Sequence, residues 1–299
     1  MRKTNFITGA SSGVGKSCAE YLLRERHIIF GTSRNADFPR RYSADEINMV
    51  PLDLEDSESI ERALEFVIES CGRLDVVVNN AGSGFASPVE DAPLEKAKRL
   101  MNVNFWGGIE VIQKTIPIFR RQSHGLIINI SSLAGRFSLP FHGFYAATKF
   151  ALEAISESLQ MELRKTKIRV VLIEPGDLST NFTNSRGKIV NEKSYMKAPF
   201  LKALEIAERD ERNGTNPVEV AKLVAKIINI KNFIGDESKG LQFAKILWDH
   251  GIFCPLIRWP AVPVGKSRLR IIVTVNHTEE QFDRFVDICK LAGRQTGII

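Results

Sequence analysis

Cysteine is scarce in this chain, with four residues among 299 (Cys18, Cys71, Cys254 and Cys289), and none of them stand in C-x-x-C spacing. The five histidines form no cluster with the spacing of metal ligands. Zinc sites and disulfide frameworks are recognised by such spacings. We therefore predict no metal site and interpret the cysteines as reduced residues of the interior.

Long runs of one residue kind are also missing. The net charge is +6, but acidic and basic residues are interspersed and no long Lys/Arg run occurs, so nucleic acid binding is not indicated. The apolar stretch 246–264 is broken by charged residues and three prolines, so we predict no transmembrane span. Because the first predicted strand begins at residue 3, we expect no signal peptide and a cytoplasmic location.

The apolar pattern alternates between short strands and longer helices up to residue 229. Gly72 is placed to end one helix, and Asn216-Pro217 with Glu219 are placed to begin another through a capping box. Such alternation predicts an α/β fold with a doubly wound parallel sheet, the Rossmann fold. The predicted strands lie near 3–8, 28–33, 47–52, 75–79, 125–131 and 168–174, and the helices near 13–25, 57–71, 95–121, 143–165 and 217–229.

The most informative motif is a tyrosine four residues before a lysine, Tyr145 and Lys149, in a predicted helix. Positions i and i+4 share one helix face, so the phenol and the ammonium lie side by side. A free phenol has a pKa of about 10, and a nearby cation lowers it. The pair thus predicts a proton donor at an alcohol or carbonyl oxygen. A surface Tyr–Lys pair without function would have the same spacing.

A glycine-rich turn follows the first predicted strand. Gly9, Gly13 and Gly15 stand in G-x-x-x-G-x-G spacing and lead into an apolar helix pattern. Strand, glycine turn and helix form the context of a phosphate-binding loop, because the helix N-terminus offers free N–H groups and a favourable dipole. An ordinary strand-to-helix turn is the alternative.

Together these motifs resemble the classical short-chain dehydrogenase/reductase family, over about residues 1–232. Asn79-Asn80-Ala81-Gly82 is similar to the family's N-N-A-G element, and Ser132 lies thirteen residues before Tyr145, the family's usual separation. The resemblance implies the catalytic residues Asn104, Ser132, Tyr145 and Lys149. It implies a dinucleotide site formed by Gly9, Ser11, Ser12, Gly13, Val14, Gly15, Ser33, Arg34, Asp53, Leu54, Asn80, Ala81, Gly82, Tyr145, Lys149, Pro175, Gly176, Leu178 and Thr180.

The resemblance also implies a reaction, hydride transfer between nicotinamide and a carbonyl carbon. In it Tyr145 gives the oxygen a proton and Ser132 hydrogen-bonds that oxygen. Lys149 lowers the pKa of the tyrosine and holds the nicotinamide ribose. Asn104 anchors a water that relays protons to Lys149.

The end of the second predicted strand indicates which cofactor is used. NAD-binding folds carry an acid near this point for the ribose 2′-hydroxyl, but here Ser33-Arg34 follow the strand and the first acid is Asp37. A guanidinium pairs well with a 2′-phosphate. We therefore predict NADP as cofactor, with a solvated surface arginine as the alternative.

The substrate is expected to be a lipophilic ketone or alcohol, because apolar residues surround the predicted site. The segment around Arg136 and after Tyr145 is similar to family members that act on sterols, retinoids and ketosphinganine. The long polar stretch 177–215 is predicted to be a loop that covers the substrate. Core packing is the alternative for the apolar set, which is Phe85, Phe137, Leu139, Phe141, Phe144 and Phe182.

Beyond residue 235 the sequence changes character. We predict a domain at 1–235 and an atypical tail at 236–299, with a strand at 269–275 that lacks partners and a helix from Thr278. Residues 241–299 resemble the C-terminal end of α-oxoamine synthases such as serine palmitoyltransferase, with Arg270 at their carboxylate-binding position. The large domain of those enzymes, with its cofactor lysine, has no counterpart, so we predict no pyridoxal phosphate and interpret Arg270 as a surface arginine. Since that synthase makes ketosphinganine, a fusion of neighbouring genes would favour ketosphinganine as substrate.

Other classes of function stay open at this point. A damaged fusion that only binds dinucleotide, or a regulatory dinucleotide-binding protein, would share the glycine turn without the reaction. A homo-oligomer is compatible with the sequence.

Overall fold

A computed structural model describes residues 2–229, 237–252, 256–257, 268–269 and 279–298. These divide into two compact units, residues 1–228 and 229–299. In the first unit the strands are β1 (Thr4–Ile7), β2 (Ile28–Ser33), β3 (Ile47–Pro51), β4 (Val76–Asn79), β5 (Phe85–Ala86), β6 (Gly125–Ile130), β7 (Ile168–Ile173) and β8 (Gly187–Lys188). The helices are α1 (Gly13–Arg24), α2 (Ser57–Cys71), α3 (Leu94–Met101), α4 (Gly107–Gln122), α5 (Gly143–Glu162), α6 (Phe182–Ser185), α7 (Lys197–Arg212) and α8 (Pro217–Asn229).

Six of these strands form one parallel sheet in the order β3-β2-β1-β4-β6-β7. The chain first moves outward from β1 to β3, then returns to the other side of β1 and continues through β4, β6 and β7. The doubly wound sheet predicted from the sequence is therefore confirmed. Ligands bind such sheets beyond the carboxyl ends of the strands where the order reverses, which here lies between β1 and β4.

Alternate residues of the strands pack on opposite faces of the sheet, as the two-residue period of a strand requires. Phe6, Phe30 and Val77 belong to a core shared with α2 and α4. Their neighbours Ile7 and Ile29 belong to a second core shared with α1 and α8. Burial on both faces explains why β4 has three successive apolar residues, Val76–Val78.

The helix predicted at 95–121 is interrupted. Between α3 and α4, residues Asn102–Trp106 form a π-helical turn, in which the Gly107 N–H donates to the carbonyl of Asn102. The turn inserts one extra residue into the helix and redirects the side chains along it. Sequence periodicity did not reveal this, because every residue in the segment is compatible with an ordinary α-helix.

The predicted helix ends are confirmed in part. Gly72 ends α2 with a left-handed φ of 67°, which glycine adopts without strain. The Asn216 side chain accepts a hydrogen bond from the Val218 N–H at 3.0 Å, so it caps α8. Glu219 does not complete a capping box and instead forms an ion pair with Lys222 at 2.9 Å.

The stretch 177–215 is not the loop that the sequence suggested. It contains α6, β8 and the sixteen-residue helix α7. Phe200 and Leu204, four residues apart, are buried on one face of α7. This i, i+4 apolar spacing was the signal that could have identified the helix.

The second unit contains α9 (Glu237–Asp249), β9 (Leu256–Ile257), β10 (Arg268–Leu269) and α10 (Glu279–Gln295). Phe243, Leu247, Ile288 and Ala292 form a small core between α9 and α10. Leu269, the first residue of the strand predicted to lack partners, pairs with Leu256, so that prediction is wrong at this residue. Strand β10 pairs antiparallel with β9. The rest of the predicted strand, Arg270 and Thr278 lie outside the described residues.

No helix within the described ranges is long and apolar enough to cross a membrane.

Candidate active site

The predicted site residues all follow the carboxyl ends of sheet strands or lie on helices that face this edge. At the centre, Thr8 joins the segments after β1 and β4. Its hydroxyl accepts from the N–H groups of Asn80 and Ala81 at 2.8 and 2.9 Å, and its carbonyl accepts from the Asn80 amide at 2.8 Å. Thr8 was missed as a site residue, because a strand-end threonine carries no distinctive signal in sequence.

The glycines of the first turn are required for different reasons. Gly9 has a left-handed φ of 68°, and a Cβ there would stand 2.9 Å from the Ala81 Cα. At Gly15 a Cβ would lie 2.3 Å from the Gly9 carbonyl oxygen, so Gly15 allows α1 to pack against the turn. At Gly13, also left-handed at 55°, the nearest atom to a Cβ would be 3.8 Å away, on Thr180. Thr180 therefore lies next to the Gly13 end of α1, and the left-handed φ is what favours glycine at this position.

The N-terminus of α1 is open to a ligand. Ser12 occupies the N-cap position with extended backbone, but its side chain makes no capping hydrogen bond. Ser11 and Ser12 are exposed, and Val14 is half-buried. Free N–H groups at a helix N-terminus attract an anion. These residues therefore fit a pyrophosphate.

The ends of β6 and β7 lie side by side. The Ser131 N–H donates to the Ile173 carbonyl at 2.7 Å, and the Leu133 N–H donates to the Pro175 carbonyl at 2.9 Å. Ser132 lies between these two contacts, and its hydroxyl accepts from the Ala134 N–H at 3.1 Å. The residues beyond β7 that were predicted to bind cofactor are Pro175, Gly176, Leu178 and Thr180, of which Leu178 bridges to Thr215.

Asn104 lies in the π-helical turn and is buried. Its side-chain oxygen accepts from the Ser83 N–H at 2.8 Å, and its amide donates to the Ser83 carbonyl at 2.9 Å and to the Thr148 hydroxyl at 3.3 Å. The side chain thus fixes the segment after Gly82 to α5. Both of its polar atoms are engaged, which leaves the second lone pair of Oδ1 and the main chain of Asn104 for a relay water.

The pKa of Tyr145 differs from the sequence-based expectation. Burial raises it to about 12, although a side-chain hydrogen bond with Ser132 lowers it. The Lys149 ammonium lies 5.7 Å from the centre of the phenol ring, so the predicted neighbourhood is confirmed. In the protein alone, however, burial is the largest cause acting on this pKa, and the predicted lowering is wrong. Tyr145 therefore keeps its proton at neutral pH.

Lys149 is buried, with 6% of the residue exposed. Its ammonium donates to the Ile130 carbonyl at 2.9 Å, which ties α5 to the end of β6. Burial lowers the pKa of Lys149 to about 8, while the charge of Glu153 raises it. A positive charge is therefore held close to the phenol, with a protonation state that responds to its surroundings.

A buried charge cluster lies one helical turn beyond Lys149. Arg136 forms ion pairs of 2.6 Å with both Glu153 and Glu174, whose side chains are each 4% exposed. Burial raises the pKa of Glu153, and hydrogen bonds with Ser131 and Arg136 lower it. Sequence analysis missed this cluster, because its members come from three separate segments.

The residues after β2 and β3 that were predicted to bind the dinucleotide lie on the same edge of the sheet. Arg34 is exposed and makes no hydrogen bond or ion pair with the part of the chain that the structure describes. Ser33 ends β2 and its hydroxyl accepts from the Asn35 N–H at 3.4 Å. Asp53, whose side chain accepts from the Glu55 N–H at 3.0 Å, and the buried Leu54 follow β3 on the same side of the sheet.

Aromatic rings lie beside Tyr145 and along the segment that precedes it. The Phe182 ring lies 5.8 Å from the Tyr145 ring, and Phe85 stacks on Phe144 at 5.8 Å. Phe141 packs against Phe200 of α7 at 5.4 Å. Phe137 and Leu139 differ, because each is 51% exposed. The rings near Tyr145 provide an apolar wall, and the two exposed residues extend apolar surface toward solvent.

No group of potential metal ligands occurs within the described ranges.

Comparisons with known proteins agree with the fold described above. Residues 3–190 match the short chain dehydrogenase family. The 3-ketodihydrosphingosine reductase of Bacteroides thetaiotaomicron is 39% identical over 228 residues, which cover 76% of this chain and 83% of the relative. An alcohol dehydrogenase from the archaeon Thermococcus sibiricus, solved with 5-hydroxy-NADP, superposes with a TM-score of 0.62 at 25% identity, covering 77% of this chain and 92% of the other.

One relative bears on the C-terminal residues. The oxidoreductase YusZ of Bacillus subtilis is 31% identical over 276 residues, covering 87% of this chain and 95% of its own. A match of that extent must include residues beyond 235, so the tail is not wholly foreign to oxidoreductases. The matched length and the parallel sheet lead to one conclusion: this chain belongs to the short-chain dehydrogenase/reductase family and is an oxidoreductase acting on CH–OH and C=O groups.

Proposed function

We propose that this protein is an NADPH-dependent reductase of a lipophilic ketone, with a ketosphinganine as substrate. The observation that carries the proposal is the grouping of Ser132, Tyr145 and Lys149 at the carboxyl edge of the sheet, beside an aromatic wall. The relative from Bacteroides is named a 3-ketodihydrosphingosine reductase. Its similarity supports this substrate over sterols and retinoids.

The high pKa of Tyr145 suits reduction. A carbonyl oxygen that receives hydride on its carbon becomes an alkoxide and needs a proton. Tyr145 holds that proton on its phenol oxygen at neutral pH, since burial raises its pKa to about 12. The Ser132 hydroxyl, which hydrogen-bonds the phenol, is placed to donate to the same oxygen. Positioned proton transfer of this kind accelerates reactions by roughly 10²–10⁴-fold.

The residues present fit a nicotinamide dinucleotide. The open helix end at Ser12 and the glycine turn before it suit the pyrophosphate, while Asn80 and Ala81 are held against the same turn through Thr8. Lys149 is placed to hold a ribose hydroxyl. When bound, the dinucleotide supplies the hydride, and the protein orients and polarises the ketone.

We assign NADP rather than NAD on Arg34. Its exposed guanidinium, free of ion pairs within the described residues, stands at the end of β2, where the ribose of a dinucleotide reaches. A free guanidinium gains a charge-assisted pair with a 2′-phosphate. The neighbour from Thermococcus sibiricus holds an NADP derivative.

The test is the rate of NADPH consumption with ketosphinganine in the Tyr145→Phe variant. Only a hydroxyl is removed, so the fold survives while turnover falls by about 10²–10⁴-fold. Tyr195→Phe is the matched control, because Tyr195 is 91% exposed and its loss leaves turnover unchanged. Near-wild-type turnover by Tyr145→Phe would refute the assignment.

A non-catalytic dinucleotide binder gives a different result. NADPH raises its melting temperature, as any ligand selective for the native state does, but the wild-type protein then reduces no ketone. Thermal shift and turnover measured on one sample therefore separate the two functions.

A further inference from the structure

A buried ion pair lies near the active site and has no part in the proton transfer described above. Arg186 follows α6, and Glu211 lies in the last turn of α7. The Arg186 Nη1 donates to the Glu211 Oε1 at 2.5 Å. The Arg186 side chain is 2% exposed and that of Glu211 is 16% exposed. Two charges are thus removed from water on the side of the molecule that carries the catalytic tyrosine.

Several polar atoms of this pair lack hydrogen-bond partners within the described part of the chain. They are the Nε and Nη2 of Arg186 and the Oε2 of Glu211, all of them buried. Unsatisfied atoms of buried charges are unfavourable and uncommon in folded proteins. Two donors and one acceptor therefore remain for another polar group.

The backbone connects this pair directly to the wall around Tyr145. The Arg186 N–H donates to the Phe182 carbonyl at 2.9 Å, and the Phe182 ring lies 5.8 Å from the Tyr145 ring. The next residue, Gly187, pairs with Phe85. Phe85 in turn stacks on Phe144, the residue before Tyr145.

The charges of Arg186 and Glu211 also act on titratable groups of the active site. After burial and the Ser132 hydrogen bond, the charges of Glu211 and Arg186 also act on the pKa of Tyr145, Glu211 raising it and Arg186 lowering it. The Arg186 charge likewise lowers the pKa of His142, one turn before Tyr145, although burial is the larger cause. Both charges thus act within the catalytic region.

We propose that Arg186 and Glu211 bind the amino-alcohol head group of the substrate. The Glu211 Oε2 accepts from an ammonium on the carbon beside the reacting carbonyl, and the Arg186 Nε and Nη2 donate to the neighbouring hydroxyl oxygen. This inference rests on the proposed function and names the residues that distinguish an α-amino ketone from a plain lipophilic ketone.

The chemistry of the substrate matches the unsatisfied atoms. The head of a ketosphinganine carries an ammonium on the carbon next to the ketone and a hydroxyl on the carbon after that, while its alkyl chain suits the aromatic wall. A sterol or retinal ketone has neither group and would leave the buried charge pair unsatisfied. Sites built to hydrogen-bond a substrate group reject analogues that lack it far more strongly than purely apolar pockets do.

The test compares two substrates, ketosphinganine and its analogue without the amino group, with NADPH. The readout is the ratio of their kcat/KM values in wild type, Glu211→Gln and Glu208→Gln. We expect the wild type to prefer the amino ketone, and Glu211→Gln to lower the ratio by roughly 10- to 100-fold through loss of a charge-assisted bond. Glu208→Gln is the matched control, because Glu208 lies one turn earlier on α7 and pairs with Lys188 and Arg212 instead.

The outcomes are distinct. An unchanged ratio in Glu211→Gln, with both substrates slowed equally, would assign the pair a structural role and overturn the inference. Equal use of both substrates by the wild type would overturn it while leaving the reductase function intact. Failure of the wild type to reduce either substrate would overturn the proposed function and this assignment with it. If Glu211→Gln does not fold, Glu211→Asp keeps the charge and displaces it by one methylene, and a lowered ratio there supports the inference.

Discussion

Burial of Lys149 predicts an unusual dependence of stability on pH. The ammonium is enclosed at the end of β6, where it donates to the Ile130 carbonyl at 2.9 Å. Burial lowers its pKa from 10.5 to about 8, against the opposing charge of Glu153. Each unit of pKa shift is worth about 1.4 kcal/mol, so keeping this lysine charged in the folded state costs about 3 kcal/mol.

Proton linkage determines whether the free energy of unfolding rises or falls with pH. Below the folded-state pKa, Lys149 is protonated in both the folded and the unfolded protein, and burial of its charge lowers the stability of the folded protein by the full amount of about 3 kcal/mol. Between about pH 8 and about pH 10.4 the unfolded lysine stays protonated while the folded one loses its proton, so stability rises with pH. Wild type should therefore gain about 3 kcal/mol across this window relative to a variant that cannot titrate there.

The assay is urea unfolding of wild type, Lys149→Met and Lys149→Arg at several pH values from about 7 to about 10.5. The stability difference between wild type and Lys149→Met should grow with pH, since effects of other titrating groups cancel. The difference between Lys149→Arg and Lys149→Met should stay flat, because guanidinium remains protonated. A flat wild-type difference would show that the ammonium is hydrated and would refute the reasoning.

Two further predictions test the dinucleotide site. Arg34→Ala should weaken NADPH binding by roughly 10- to 150-fold and NADH binding much less, because only NADPH carries the 2′-phosphate; equal weakening in fluorescence titrations would mean that Arg34 is a solvated surface residue. Gly15→Ala should lower stability by about 1–3 kcal/mol and impair NADPH binding, since its Cβ would lie 2.3 Å from the Gly9 carbonyl oxygen. Gly143→Ala is its control, with the nearest atom at 3.8 Å, and equal losses in both variants under urea would contradict the packing argument.

Much of the fold was predictable from local patterns. Strands β2, β4 and β6 each contain a run of three apolar residues because both faces of a parallel sheet are buried. Their carboxyl ends meet at one edge whatever the details of packing, so Gly9, Asn80 and Ser132 could be placed together from the sequence. The helical spacing of Tyr145 and Lys149 was equally local, and their neighbourhood is confirmed.

Tertiary structure decided what no local pattern contains. Desolvation depends on every atom around a group, which is why the pKa of Tyr145 rises although a lysine lies beside it. The π-helical turn places Asn104 in contact with Ser83, a residue remote in sequence.

The charge clusters depend on tertiary structure in the same way. Arg136 meets Glu174, and Arg186 meets Glu211, across separations of 38 and 25 residues. The sequence by itself determined the sheet, the glycine turn and the Tyr–Lys pair, because each follows from spacing along one element. Only the folded chain determined which charges are buried near the reacting groups, because burial and long-range pairing exist only after the elements have packed.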